Sequence, residues 1–207
     1  MGLRANGRGV MSAMAQAEIC SSSRRIVSSA VLGTVVFLIS EVMLFCALIS
    51  AYIVLRGQSG IWPPLDQPRL PAVATGANTC VLIASGLFMW RSLAAIENAD
   101  RIRFRRELVT AFVLGALFLV GQGTEWIFLV RYGLTTTSSV YGALFYTIVG
   151  CHGLHVAAAL AVLGFVLIRA VQGYYEYGRR DGLRALRLYW TFVVGIWPPL
   201  YGLVYLW

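Results

Sequence analysis

An uncharged stretch between Ser138 and Arg169 constrains this chain more than any other feature. At a rise of 1.5 Å per residue, about 30 helical residues can cross the hydrocarbon layer of a membrane with some tilt. The stretch contains the two histidines of the chain, His152 and His155, whose i, i+3 spacing predicts that they project from one helical face. Polar side chains at that depth are costly unless partners satisfy them, so the pair marks a functional or packing site.

The composition indicates an integral membrane protein. Of the 207 residues, 58% are hydrophobic and only 13% are charged, whereas soluble proteins carry about 25% charged residues. The net charge of +8 comes from arginines that lie between apolar runs and form no single patch, so we read them as topology signals and expect no nucleic-acid partner.

Four further apolar runs cover residues 31–55, 72–90, 108–130 and 188–207. The predicted fold is therefore all-α, an integral membrane bundle of five transmembrane helices over residues 31–207, preceded by a cytoplasmic tail at 1–30. Pro198 and Pro199 fall within the last run and predict a kink. Gly173, Gly178 and Gly182 predict a break in helicity before it.

The distribution of the arginines predicts how the chain is oriented in the membrane. Segments 1–30, 91–107 and 169–187 hold 14 of the 17 arginines, whereas segments 56–71 and 131–137 hold 3. Since arginine favours the cytoplasmic side, we expect the N-terminus to be cytoplasmic and the C-terminus to be periplasmic or extracellular.

Four ionisable residues lie inside the predicted spans, namely Glu41, Glu125, His152 and His155. Near the centre of its span, Glu41 is either a neutral acid hydrogen-bonded to a neighbouring helix or a proton- or lipid-linked site. For Glu125, beside Trp126, we expect snorkelling to the interface. The histidines predict hydrogen-bonded packing, with a proton relay as the alternative.

The spacing of the histidines and of the cysteines predicts no catalytic residue, metal site or bound cofactor in this chain. Two histidines on one helical face cannot ligate both sides of a haem, and a copper centre would need further ligands. The four cysteines are scattered singly, without metal-binding spacing.

Four segments carry a family resemblance. Residues 40–45, with Glu41 and Met43, look like an S-E-x-M-x-F element, and residues 121–126 look like a Q-x-x-E-W/Y element. Residues 141–156 are similar to a YG-x-x-FY-x-x-TGFHGLHV signature, and residues 189–197 align with YWHFVD-x-x-W. On these motifs the chain resembles subunit III of haem-copper respiratory oxidases, which use cytochrome c or quinol, in the short five-helix bacterial form.

The resemblance implies a non-catalytic accessory subunit of a terminal oxidase in aerobic electron transport, located in the bacterial plasma membrane. It implies packing against oxidase subunits I and II, a phospholipid held in a cleft, support of proton uptake, and haem and copper in the partner subunits. It also matches Glu41 to the family's intramembrane glutamate.

Three positions depart from the family motifs: Cys151 replaces Phe, Thr191 replaces His and Val194 replaces Asp. The last two substitutions remove polar groups that could pair with the histidines and put a proton-linked role in doubt. They leave two alternatives: a subunit III-like protein associated with nitric oxide reductase, or a small transporter or channel built around Glu41 and His155.

Overall fold

A computed structural model describes residues 28–60, 62, 64, 70–173, 175 and 181–207. These residues form five α-helices and no strand, which confirms the all-α prediction; the predicted tail at 1–30 lies almost wholly outside them. The helices are α1 (Ser29–Gly57), α2 (Ala72–Glu97), α3 (Arg101–Arg131), α4 (Val140–Val171) and α5 (Asp181–Tyr201). A π-helical turn, Gly202–Leu206, follows α5.

Side-chain caps define the start of three helices. Ser28, Asp100 and Ser139 accept hydrogen bonds from backbone N–H groups in the first turns of α1, α3 and α4, at 3.4, 3.0 and 3.1 Å respectively. Each bond satisfies an N–H that has no intrahelical acceptor. At the other ends of α1, α3 and α4, an arginine in the last turn complements the helix dipole.

The helices extend beyond the predicted apolar runs. The predicted loop at 91–107 consists mostly of the end of α2 and the start of α3, because arginine is a good helix former and Asp100 caps α3. The buried Glu107 carboxylate joins the two helices, with Arg91 Nη2 at 3.3 Å and Arg103 Nε at 3.7 Å from its Oε1. This hairpin end is therefore an ordered, charged junction.

Helices α1 to α4 are each long and apolar enough to cross a membrane. Helix α5 begins with a charged segment at Asp181, and its crossing, the predicted fifth, stays a prediction. Gly173, at a positive φ of 79°, ends α4 as expected, but Gly182 lies inside α5 and the predicted break there is wrong.

Helix α5 lies at the centre of the bundle. It packs against α1, α2 and α4, while α2 and α3 form a closely packed pair and α3 also contacts α4. Trp190 and Trp197 of α5 are the largest fully buried side chains among the described residues. Helix α1 is peripheral, since Phe45 and Tyr52 are its only buried residues.

Candidate functional site

A glutamate on α1 and a histidine on α4 meet inside the bundle. Glu41 Oε2 lies 2.6 Å from His155 Nε2, and both side chains are largely buried, with 12% and 13% exposed. Glu41 is near the middle of the 29-residue α1, so the pair lies far from either helix end. The contact joins Glu41 to a neighbouring helix, while its role as a packing acid or as a proton- or lipid-linked site stays a prediction.

The second nitrogen of His155 determines how many protons the pair holds. His155 Nδ1 lies 2.7 Å from the carbonyl oxygen of Cys151, and a carbonyl can only accept, so Nδ1 carries a hydrogen. A bond of 2.6 Å between Nε2 and a carboxyl oxygen then requires one further proton between them. The pair is therefore either a neutral acid with a neutral imidazole or a carboxylate with an imidazolium, and its net charge is zero in both forms.

Aromatic rings pack on one side of the pair. Phe45, fully buried and one helical turn from Glu41, packs edge-on against the His155 ring with centroids 5.3 Å apart. The same ring contacts Phe192 of α5 at 6.1 Å. These contacts limit access of water from that side, which strengthens the electrostatic interaction within the pair.

His152 occupies a different environment. Its imidazole is buried, stacks on Trp197 of α5 at 4.7 Å and lies 6.2 Å from the Phe118 ring of α3. Neither ring nitrogen has a hydrogen-bond partner among the described residues. The histidines therefore contact different neighbours although they are three residues apart. Of the two, His155 has hydrogen-bond partners among the described residues and His152 has none, while a packing or proton-relay role stays a prediction for both.

Glu125 lies in a second polar site, between α2 and α3. Its side chain is buried, and Thr75 of α2 donates a hydrogen bond to Oε2 at 2.8 Å. The predicted snorkelling of Glu125 is wrong, because the carboxyl group faces the neighbouring helix. Trp197 Nε1 donates to Thr79 Oγ1 at 2.8 Å, so the same face of α2 also holds α5.

Two of the three departures from the family motifs, Thr191 and Val194, have packing roles. Thr191 Oγ1 accepts a hydrogen bond from Trp90 Nε1 at 2.9 Å and donates to the Arg187 carbonyl at 2.8 Å, joining α5 to α2. Val194 packs on Gly86, where an added Cβ would meet Val194 Cγ1 at 3.1 Å. At Cys151 the backbone carbonyl contacts His155 as any residue's would, and the thiol Sγ lies 3.9 Å from His155 Nδ1. Helix α5 therefore need not supply the partner of His155, since α1 does.

Sequence reasoning missed the residues that complete these sites. Thr75 and Thr79 recur at i, i+4 within an apolar span, and that pattern indicates a polar helix contact. It identifies no partner, because the bonded residues Glu125 and Trp197 lie on other helices. Among the described residues, no three His, Cys, Asp or Glu side chains are grouped closely enough to hold a metal ion.

Comparisons with known proteins agree on one family. Residues 14–207 match the family model described as cytochrome c oxidase subunit III. The chain is 37% identical over 175 residues to a Synechocystis protein named cytochrome c oxidase subunit 3, covering 84% of this chain and 74% of that protein. It is 36% identical to a probable cytochrome c oxidase subunit 3 of Mycobacterium leprae, with 84% and 85% covered. These similarities do not favour the nitric oxide reductase or transporter alternatives.

Proposed function

This chain belongs to the cytochrome c oxidase subunit III family, and from that premise we propose how it serves its complex. As a subunit III it is an accessory subunit of a haem-copper oxidase and forms a complex with other oxidase subunits. We propose that subunits I and II hold the haem and copper. This chain stabilises the complex and holds a buried proton that supports proton uptake, without catalysing a redox step.

The hydrogen bond between Glu41 and His155 is the observation that carries the stabilising role. Membrane helices gain no hydrophobic free energy by associating with one another, so packing and interhelical hydrogen bonds must hold them together. Helix α1 has few buried residues and packs mainly against α5, so this hydrogen bond is its chief attachment to α4. The pair fixes the position of α1, and with it the surface that a partner subunit meets.

The same pair supports a proton-linked role. Its single shared proton can lie on Glu41 Oε2 or His155 Nε2 without a change in net charge. An isolated charge within the membrane costs about 2.5 to 3.5 kcal/mol on insertion scales, and the pair avoids that cost. We propose that this retained proton is how the subunit supports proton uptake by the oxidase.

We further propose that the chain crosses the bacterial plasma membrane five times, with a cytoplasmic N-terminus. The distribution of arginines supports this orientation, since the two connections between α1 and α2 and between α3 and α4 are poor in arginine. Helix α5 and the following π-helical turn supply the fifth crossing in this proposal.

Co-purification of the oxidase tests the stabilising role. A tag on this chain should recover haem-bearing subunits at the parental ratio from Glu41→Gln, because the amide can donate to His155 Nε2 in the same geometry. Glu41→Ala leaves that nitrogen without its partner, and the haem recovered after a detergent wash should fall several-fold.

Ser40→Ala is the matched control for this experiment. The Ser40 hydroxyl bonds to the Phe37 carbonyl within α1, so its loss removes no interhelical contact. This variant should retain haem as the parent does. Equal haem recovery from the parent and Glu41→Ala would contradict the proposed role of the pair.

A further inference from the structure

Helix α3 carries two buried glutamates in opposite electrostatic surroundings. Glu107 is 2% exposed, and three guanidinium groups lie 3.3 to 3.8 Å from its Oε1, those of Arg91, Arg103 and Arg106. Glu125 is 9% exposed, and it forms no ion pair with any residue that the structure describes. The arginines stabilise a negative charge on Glu107, whereas Glu125 has no cation to do so.

The side chains beside the Glu125 carboxyl are all uncharged. Thr75 of α2 donates to Oε2 at 2.8 Å, and the side chains of Gln122 and Tyr205 also lie beside the carboxyl. Tyr205, on the π-helical turn, accepts a hydrogen bond from Gln122 Nε2 at 3.0 Å. Oε1 is buried and has no hydrogen-bond partner in the described part of the chain. A carboxylate would leave negative charge on that oxygen unsatisfied, so the neutral acid, with its proton on Oε1, costs less.

The depth of Glu125 in the bundle favours the neutral acid as well. Glu125 lies 18 residues after Glu107, about 27 Å along the helix, and six residues, about 9 Å, before Arg131 at the end of α3. A charge at the centre of a membrane helix costs about 2.5 to 3.5 kcal/mol on insertion scales. Neutral neighbours offset little of such a cost, and a bound proton removes it.

A groove of about 680 Å³ between α2 and α3 leads to Glu125. Its lining is mostly apolar, with Ala77 and Val81 on α2 and Phe128 on α3, and it becomes polar where Thr124 and Glu125 line it. The part of the Glu125 side chain that stays exposed therefore lies at this groove. An apolar molecule that enters the groove meets the one carboxyl group in its lining.

We propose that Glu125 is a second proton-holding group of the subunit, and that its proton exchanges, and apolar reagents reach it, through the α2–α3 groove. The group lies near the end of α3, opposite the charged hairpin end at Glu107, so it serves the side of the membrane where α3 ends. This inference rests on the proposed function only in placing α3 within a membrane, and it is independent of the Glu41–His155 pair.

A hydrophobic carbodiimide tests the bound proton and the route together, because it reacts with protonated carboxyl groups in apolar surroundings. The carboxyl proton moves to one nitrogen of the reagent, and the carboxyl oxygen bonds to its central carbon as one C=N double bond becomes single. The adduct contains every atom of both molecules, so the step needs no other reactant.

The purified complex is treated with dicyclohexylcarbodiimide at neutral pH, and fragmentation mass spectrometry locates the adducts. Glu125 should carry the reagent, whereas Glu107, on the same helix and equally buried, should not, since its arginines keep it ionised. Glu125→Gln should remove the adduct from α3. In the chain unfolded in mild acid both glutamates should react, which shows that either adduct is detected.

Ala77→Trp tests the route, because it places an indole in the groove and should lower the Glu125 adduct several-fold. Ala158→Trp, at an exposed alanine of α4 outside the groove, is the matched control and should leave the adduct at the parental level. An undiminished adduct in folded Ala77→Trp would overturn the proposed route.

Infrared spectroscopy covers the case in which Ala77→Trp does not fold. The difference between the parent and Glu125→Gln should contain the C=O stretching band of a protonated carboxyl, and this band should shift in D₂O. Absence of the band, absence of the shift, or a Glu125 adduct no greater than that of Glu107 would overturn the proposal. Failure of the parent chain to recover haem would instead contradict the proposed function.

Discussion

The contact between Gly115 and Trp190 supports a quantitative prediction about how the bundle is held together. Gly115 lies on α3 where α4 and α5 meet it. A Cβ at this position would lie 2.7 Å from Trp190 Cη2 and 3.0 Å from Leu160 Cδ2. Trp190 is fully buried, so its ring cannot move aside without displacing its neighbours. We therefore expect Gly115→Ala to destabilise the bundle through overpacking.

Gly150→Ala on α4 is the matched control, because its added Cβ would meet only Trp126 Cη2, at an ordinary 3.8 Å. Both substitutions gain about 0.8 to 1 kcal/mol of helix propensity, which cancels in the comparison. Overpacking a close contact costs about 1 to 3 kcal/mol. The two variants should thus differ by that amount, with Gly115→Ala the less stable.

Thermal unfolding of the two detergent-solubilised variants measures the difference. For a chain of 150 to 250 residues, 1 kcal/mol corresponds to about 2 to 4 °C in Tm, so Gly115→Ala should unfold about 2 to 12 °C below Gly150→Ala. Equal Tm values would refute the argument that Gly115 is required for the approach of α5.

Two further predictions concern the second polar site and the orientation of the chain. Thr75→Val removes the hydrogen bond donated to buried Glu125 and should lower the free energy of unfolding by about 1 to 3 kcal/mol. Thr34→Val is the control, because its hydroxyl bonds to a carbonyl within α1, and it should lower that free energy by less. Equal losses, measured by thermal unfolding, would exclude a role for the bond to Glu125. Alkaline phosphatase, which is active only in the periplasm, should be active when fused after Trp207. A reporter that is active only in the cytoplasm should be inactive at the same position. The reverse result would contradict five crossings with a cytoplasmic N-terminus.

The apolar runs predict the interior of each helix correctly but not where the helices begin and end. Length and hydropathy identified the interior of each helix, because they reflect burial in hydrocarbon. The start of α3 at Arg101 depends instead on the Asp100 cap and on helix propensity, which continue a helix into the charged region. Gly182 shows the converse, since a glycine can be accommodated inside a helix.

The candidate site was predicted as single residues rather than as pairs. Glu41 and His155 are separated by 114 positions, and one sequence carries no measure of which helices are neighbours. Glu125 was misassigned because its position near a helix end and beside Trp126 suggested the interface, whereas the deciding contact is with Thr75 on another helix. Depth within a span indicates that an ionisable residue needs a partner, but only the packing shows which one.

A double-mutant cycle between Glu41 and His155 tests the central claim most directly. Glu41→Ala, His155→Ala and the double variant are compared with the parent by the free energy of unfolding of the detergent-solubilised chain. If the two side chains share a proton in one hydrogen bond, the double variant should lose about 0.6 to 2 kcal/mol less than the sum of the two single losses. Additive losses from the two substitutions, with no coupling, would contradict the account.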